Sequence, residues 1–212
     1  MSEDSNGPRS GYATPLELLR TPPPRERADA ARNRAAVLAA AERLFAEHGP
    51  EGVSMDQVAT AAGVGKGTLF RRFGDKSGLA VALLDARERE LQEAILSGPP
   101  PLGPGAAPGE RIEAFVLAYL DYLLKHLALV RMSETASPGA RYRIGAYRFW
   151  HLHLALLLDG DPDPEAAAHG LLAALSAEHA SALLPDLGEE RLRAALVRLA
   201  RAVASGGSGT GA

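Results

Sequence analysis

The sequence predicts an all-α protein, with a small N-terminal three-helix unit joined through a long helix to a larger helical domain. Three observations predict it. The 212 residues are 46% hydrophobic but only 5% aromatic, so Ala, Leu and Val carry most of the core. Ala, Leu, Arg and Glu are abundant and β-branched residues scarce, which favours helix nearly everywhere. Between the Gly/Pro breaks, apolar residues recur at three- and four-residue spacing, and no stretch alternates as a half-buried strand would.

The elements follow in order. Residues 1–27 carry Gly7, Pro8, Gly11, Pro15 and the run Pro22-Pro23-Pro24. They predict a disordered arm with at most a short turn at Leu16–Leu19; Arg25 and Arg27 would bring it near phosphate. A first helix is expected over Ala28–His48, buried through Val37, Leu38, Ala41, Leu44 and Phe45, and stopped by Gly49-Pro50. Ser54 is a good N-cap for a second helix over Met55–Ala62, and Gln57 three residues on completes a capping-box pattern. Gly63 supplies the turn, where a left-handed backbone is needed. A third helix spans Lys66–Phe73 and is broken by Gly74-Asp75-Lys76. A fourth runs from Ser77 to about Leu96, and Gly98–Gly109 is a Pro/Gly loop. Four stretches follow: Glu110–Leu129, open to a break near Ala128–Met132; Pro138–Leu158; Pro164–Leu184; and Glu189–Ala204. Ser205–Ala212 reads as a disordered Gly/Ser tail.

Two short helices pinched around a glycine, the second ending in cations, have the form of a helix-turn-helix. The net charge of −3 conceals a partition that suits one. Residues 20–76 hold ten Lys/Arg against seven Asp/Glu, whereas 77–212 hold twelve against sixteen, so the positive surplus sits with the motif. Val53, Val58, Ala62, Val64, Leu69 and Phe73 can pack against Phe45 and Leu38, with Ala59 and Ala62 small where the helices cross. That leaves Ser54, Asp56, Lys66, Gly67, Thr68, Phe70, Arg71 and Arg72 to face outward. Arginine reads guanine through two prongs, Lys66 and Thr68 suit base edges or phosphate, and Gly67 lets backbone approach closely. The free amides at the start of the third helix suit phosphate. A nucleotide P-loop is excluded: Gly65-Lys66 is followed by Gly67, residue 60 is Thr where the first glycine belongs, and no strand precedes it.

The run Ala61-Ala62-Gly63-Val64-Gly65-Lys66-Gly67-Thr68-Leu69-Phe70, followed by Phe73 and Lys76, resembles the recognition segment of TetR-family transcriptional regulators, and the likeness extends over about residues 34–80. The resemblance implies that Lys66, Gly67, Thr68 and Phe70 face DNA. It implies too that Ser54, with Met55 beside it, holds one phosphate at the start of the second helix, and that Lys76 holds another from the fourth. Phe70 stands where the family usually has a tyrosine, so a phosphate-binding hydroxyl is lost. Gly65 stands where a serine or threonine usually caps the third helix. Arg71 or Arg72 would compensate. The resemblance also implies a twofold dimer built by the last two long helices, whose apolar residues are Leu171, Leu172, Leu175, Ala182, Leu183, Leu192, Leu196, Leu199 and Val203.

The helices between would enclose an effector pocket. Tyr119, Tyr122 and His126 share one helical face, and Tyr147, Trp150, His151 and Leu154 share another. With Phe115, Leu123 and Met132 they would form an aromatic wall with a few polar tips, suited to a small, mainly apolar ligand. Arg141–Leu158 resembles effector domains of TetR-type regulators from actinomycetes. An enzyme is not expected. His151 and His153 diverge by about 200° on a helix, and Glu178-His179 face different ways. No Ser-His-Asp order, carboxylate pair or metal spacing stands out, and no cofactor or metal is expected. The absence of cysteine rules out disulfides and thiolate metal sites. The sequence has no apolar run of eighteen residues and no basic-then-apolar leader, so no membrane partner is expected and the cytoplasm is.

The expected domains are therefore an arm (1–27), a helix-turn-helix domain (28–76), an effector-binding and dimerisation domain (77–204) and a tail (205–212). The function they imply is that of a TetR-like regulator, a repressor released from a palindromic double-stranded operator by a small molecule. The rival is a helical small-molecule-binding protein that does not act through DNA.

Overall fold

Ten helices carry the chain in a computed structural model that describes residues 24–206. No strand occurs among the described residues. The expected Leu16–Leu19 turn, most of the arm and the end of the tail lie outside them.

The head consists of α1 (Pro24–His48), α2 (Met55–Ala62) and α3 (Lys66–Phe73). Helix α1 begins four residues before its expected start, so residues 24–27 are its first turn and not part of an arm. Ser54 caps α2 with the expected reciprocal box: Gln57 N–H donates to Ser54 Oγ at 3.2 Å, and Ser54 N–H donates to Gln57 Oε1 at 2.7 Å. Gly63 closes the turn at φ 65°, ψ 30°, a conformation that suits glycine because it has no Cβ to clash. The core of the head is Val37, Ala41, Phe45, Val53, Met55, Val58, Ala59, Leu69 and Leu79.

Helix α4 (Lys76–Ser97) starts where the head ends, with Asp75 Oδ1 accepting from Gly78 N–H at 3.0 Å. The second domain comprises α5 (Pro108–Lys125), α6 (Leu127–Glu134), α7 (Ala140–Arg143), α8 (Gly145–Leu157), α9 (Pro164–Ala174) and α10 (Ala177–Gly206). Its core is larger and gathers Phe115, Tyr119, Leu120, Trp150, Leu154, Leu171, Leu192 and Leu196 with their neighbours. Three boundaries differ from expectation. The break after α5 falls at His126, not near Ala128–Met132. The expected Pro138–Leu158 helix is divided at Ile144, whose ψ of 133° is extended. The expected Pro164–Leu184 helix stops at Leu175, and α10 instead runs on past Pro185 with a kink at Gly188 (φ 71°). Ser205 and Gly206 end α10 and do not belong to a tail.

The apolar residues expected to pair two subunits are mostly consumed inside one. Leu171, Leu172, Leu175, Leu192 and Leu196 are buried in the subunit's own core. The large apolar side chains left open in this half are Leu152 (59%) and Leu156 (69%) on α8, Leu96 on α4, Tyr142 on α7 and Leu199 on α10.

Candidate nucleic-acid interface and ligand cavity

The head presents one polar face. The capping box fixes Ser54 at the exposed start of α2. One turn-width away, α3 starts at Gly65 without a side-chain cap, so its first amides stay open. Lys66 and Gly67 are exposed there, Thr68 is half-buried, and Phe70, Arg71 and Arg72 are exposed. A Cβ built on Gly67 would meet nothing within 4 Å. Its missing side chain therefore serves no packing within the chain and leaves clear space outside it.

The cations of this face are not equivalent. Lys66 Nζ lies 2.6 Å from Asp56 Oδ2, a pair bridging the starts of α3 and α2. Arg72 Nη1 donates to Ala30 O at 2.9 Å and ties α3 to α1. Lys76 is half-buried, its ammonium donating to the carbonyls of Pro50 (3.0 Å) and Glu51 (3.3 Å) in the α1–α2 turn. Arg71 has no acceptor among the described residues. Met55 departs from the expected set: it is 8% exposed and belongs to the head's core. At the first helical position its side chain turns back against α1, so only its backbone faces the same side as Ser54.

The expected effector residues divide. Tyr119, Tyr122, Tyr147 and Trp150 converge on one small cavity of about 20 Å³ between α4, α5, α6, α7 and α8. Phe115, Leu123 and Leu154 are fully buried behind it and do not line it. The remaining three lie elsewhere. His126, at the α5–α6 break, lies in a groove against Glu42, Phe45 and Arg87. Met132 lines an open cleft of about 650 Å³ beside Ser54, Asp75 and Lys76. His151 stacks on His169 with ring centroids 3.9 Å apart, and its Nε2 is 3.2 Å from Glu165 O. The breaks at His126 and Ile144 reset the helical phase, which is why one face in sequence becomes three places in space.

The cavity is more polar than its aromatic residues suggested. Glu88 reaches it from α4 and accepts the Tyr122 hydroxyl at 3.0 Å. Glu134 is paired with Arg141, and both are nearly buried. Arg141 Nη2 also donates to Leu172 O at 2.8 Å, and Glu134 Oε2 accepts from Ala177 N–H at 2.8 Å. Burial pushes the carboxyls of both Glu88 and Glu134 up; the Tyr122 hydrogen bond opposes this for Glu88, and the Arg141 charge for Glu134. Burial raises the phenols of Tyr119 and Tyr122, so both remain hydrogen-bond donors at neutral pH. Glu88 was detectable in the sequence, since it interrupts the stripe Leu84, Leu91, Ile95. The Glu134–Arg141 pair carried no such signal, because both lie at helix ends.

Comparison with known proteins bears on this geometry. Residues 37–83 match the family model for bacterial regulatory proteins of the tetR family. A curated HTH-type transcriptional regulator of Staphylococcus aureus strain MRSA252 is 30% identical over 121 residues, covering 57% of this chain and 64% of that one. Another from S. aureus strain RF122 is 47% identical over 69 residues, covering 32% and 36%. The chain thus spans less than two thirds of the length of these curated relatives. Among solved structures, a TetR-family transcriptional regulator from Pectobacterium atrosepticum superposes with a TM-score of 0.58 at 26% identity, over 81% of this chain and 92% of that one. No helix of the described residues is long and apolar enough to cross a membrane. Residues 37–83 are therefore a TetR-family helix-turn-helix domain, carried on the fold of the family's solved regulators.

Proposed function

We propose that the chain is a DNA-binding transcriptional regulator, a cytoplasmic repressor that works as a homodimer on a palindromic operator and is released by a small molecule. The observation that carries this reading is the exposed Lys66-Gly67-Thr68 start of α3, set beside capped Ser54 on a TetR-family head. Phosphate contact falls to Ser54, Lys76 and Arg71, and base-edge contact to Lys66 and Thr68, with Phe70 offering its ring to sugar or thymine methyl. Arg72 and Lys76 already hold the head together through Ala30, Pro50 and Glu51, so they act on DNA from a fixed position.

The working division is residues 28–76 for DNA and 77–204 for effector and partner subunit. A twofold dimer doubles the phosphate contacts and reads a palindrome with two copies of α3. Its surface draws on the open apolar residues Leu152, Leu156 and Leu199. The likeness of Arg141–Leu158 to actinomycete effector domains assigns that segment to the ligand side, where Tyr147 and Trp150 line the cavity. Effector and DNA are coupled reciprocally, so operator weakens ligand binding by the factor by which ligand weakens operator binding.

A gel shift against the DNA upstream of the chain's own gene tests this. The Lys66→Ala/Thr68→Ala double variant is expected to lose at least tenfold in affinity, about the worth of one good base contact, while remaining folded and dimeric. Unchanged binding by that variant removes the DNA-facing assignment.

A further inference from the structure

The cavity has a charge imbalance. Three charged side chains line it: Glu88, Glu134 and Arg141. Arg141 is taken by Glu134 and by Leu172 O. Glu88 has only the Tyr122 hydroxyl, and no Lys, Arg or His pairs with it among the described residues. The charges nearest it, Asp85 on its own helix and Glu134 on α6, are both negative. A carboxylate held out of water without a cation is a standing cost to the fold. Around it stand aromatic rings in mutual contact: Tyr119–Tyr122 at 5.7 Å, Tyr119–Trp150 at 5.9 Å and Phe115–Trp150 at 5.9 Å between centroids. Ring faces attract cations most strongly where water is excluded.

We propose that the effector taken by this cavity is a small organic cation, its nitrogen held against Glu88 among the rings of Tyr119, Tyr122 and Trp150. The inference rests on the reading of this domain as the effector domain. An anion would have to displace Glu134 from Arg141 while lying beside Glu88. A wholly apolar ligand would strip Glu88 of its remaining water and leave it unpaired. Arg141 Nε is buried without an acceptor among the described residues and suits a carbonyl or hydroxyl oxygen elsewhere on the same ligand.

The cavity of about 20 Å³ holds roughly one water, so the cation must open it. The bond it replaces is the 3.0 Å Tyr122–Glu88 link, the brace between α5 and α4. Recognition and release are thereby one event: the ligand takes the carboxylate that fastens the helix leading to the head.

The test uses the full chain and its single tryptophan, Trp150, which lies in the cavity wall. Its fluorescence is titrated with benzyltrimethylammonium, with the uncharged carbon isostere neopentylbenzene, and with phenylacetate. The cation is expected to saturate the signal at least tenfold more tightly than either other probe. Glu88→Gln should weaken cation binding at least tenfold without changing the circular dichroism spectrum, and Glu88→Asp, which keeps the charge, should restore most of it. Equal binding of the isostere or the anion overturns the proposal, as do an unchanged Glu88→Gln variant and silence from all three probes. The upstream-DNA gel shift on the same samples separates the two readings. Cation binding at Glu88 by a protein that shifts no DNA supports the site and refutes the regulator. A shift relieved by the neutral or anionic probe keeps the regulator and refutes the cation site.

Discussion

Truncating Glu134 should be among the most damaging single changes in the second domain, although the residue lies at a helix end. Its side chain is 7% exposed and that of its partner Arg141 is 9% exposed. The same carboxylate accepts the Ala177 N–H at 2.8 Å, one of the otherwise unsatisfied amides at the start of α10. Arg141 in turn donates to Leu172 O near the end of α9 at 2.8 Å. One ion pair thus clamps α6, α7, α9 and α10. Glu134→Ala leaves a buried guanidinium without its counter-charge, a loss of about 3–5 kcal/mol. For a chain of this size that corresponds to a fall in Tm of about 10 °C. Glu134→Leu/Arg141→Met removes both charges together and should recover most of the loss, because the penalty lies in the orphaned charge and not in the missing attraction. Urea and thermal unfolding of the two single variants and the double measure this. A Glu134→Ala cost below about 1 kcal/mol, the worth of a surface pair, would refute the clamp. So would a double variant as unstable as the sum of the singles.

Two further predictions concern charge. Asp56→Asn frees Lys66 from a 2.6 Å pair in which both side chains are more than half exposed, and removes a negative charge from the DNA face. It should tighten DNA binding about two- to tenfold at low salt, with the gain shrinking as salt rises; weaker binding in a gel-shift titration would mean that Asp56 positions Lys66 and does not withhold it. His153 is buried on α8, its Nε2 unpartnered among the described residues, and burial followed by the Arg111 charge pushes its pKa down to about 4. Between pH 6.5 and 4 the unfolded chain takes up a proton that the native state refuses, so stability falls as pH falls, by at most about 3 kcal/mol. His153→Gln should flatten that part of the stability curve in urea titrations, and an unchanged slope would show that other groups set it.

The head was legible because its signals are local. Ser54 and Gln57 are three residues apart, and Gly63 has to take a left-handed conformation whatever the rest of the chain does. Met55 was misread for a related reason: it follows the N-cap, where sequence shows a helix start but not the direction of the first side chain. The second domain hides more. The breaks at His126, Ile144 and Leu175 carry neither glycine nor proline, since packing against neighbouring helices ends those segments. Each break changes the helical phase, so Tyr119 and Tyr122 stay together while His126 moves to another groove. Glu88 could be read as a charge in an apolar stripe. Arg141 could not, because its acceptors, Glu134 and Leu172, come from two other elements.

The same packing suggests how a ligand reaches the DNA face. Two helices touch both cores. Leu79 of α4 lies in the head's core, Leu84 lies in the other, and Glu88 reaches the cavity. Leu129 of α6 packs on the head while Val130, Ser133 and Glu134 line the cavity. A helix is stiff along its axis, so a push at one point appears elsewhere as rotation. From Leu84 to Glu88 is about 6 Å along α4, and from Leu84 back to Lys76 about 12 Å, at about 1.5 Å per residue. A tilt about the buried Leu84 that moves Glu88 by 1 Å therefore moves Lys76 by about 2 Å. Lys76 holds the α1–α2 turn through Pro50 and Glu51, so the start of α2 follows it. Small openings at Glu88 are thereby enlarged where spacing between two heads matters most. The tilt costs little at the pivot, because Leu84 only turns within its packing, and the energy that drives it is the pairing of Glu88 with its ligand.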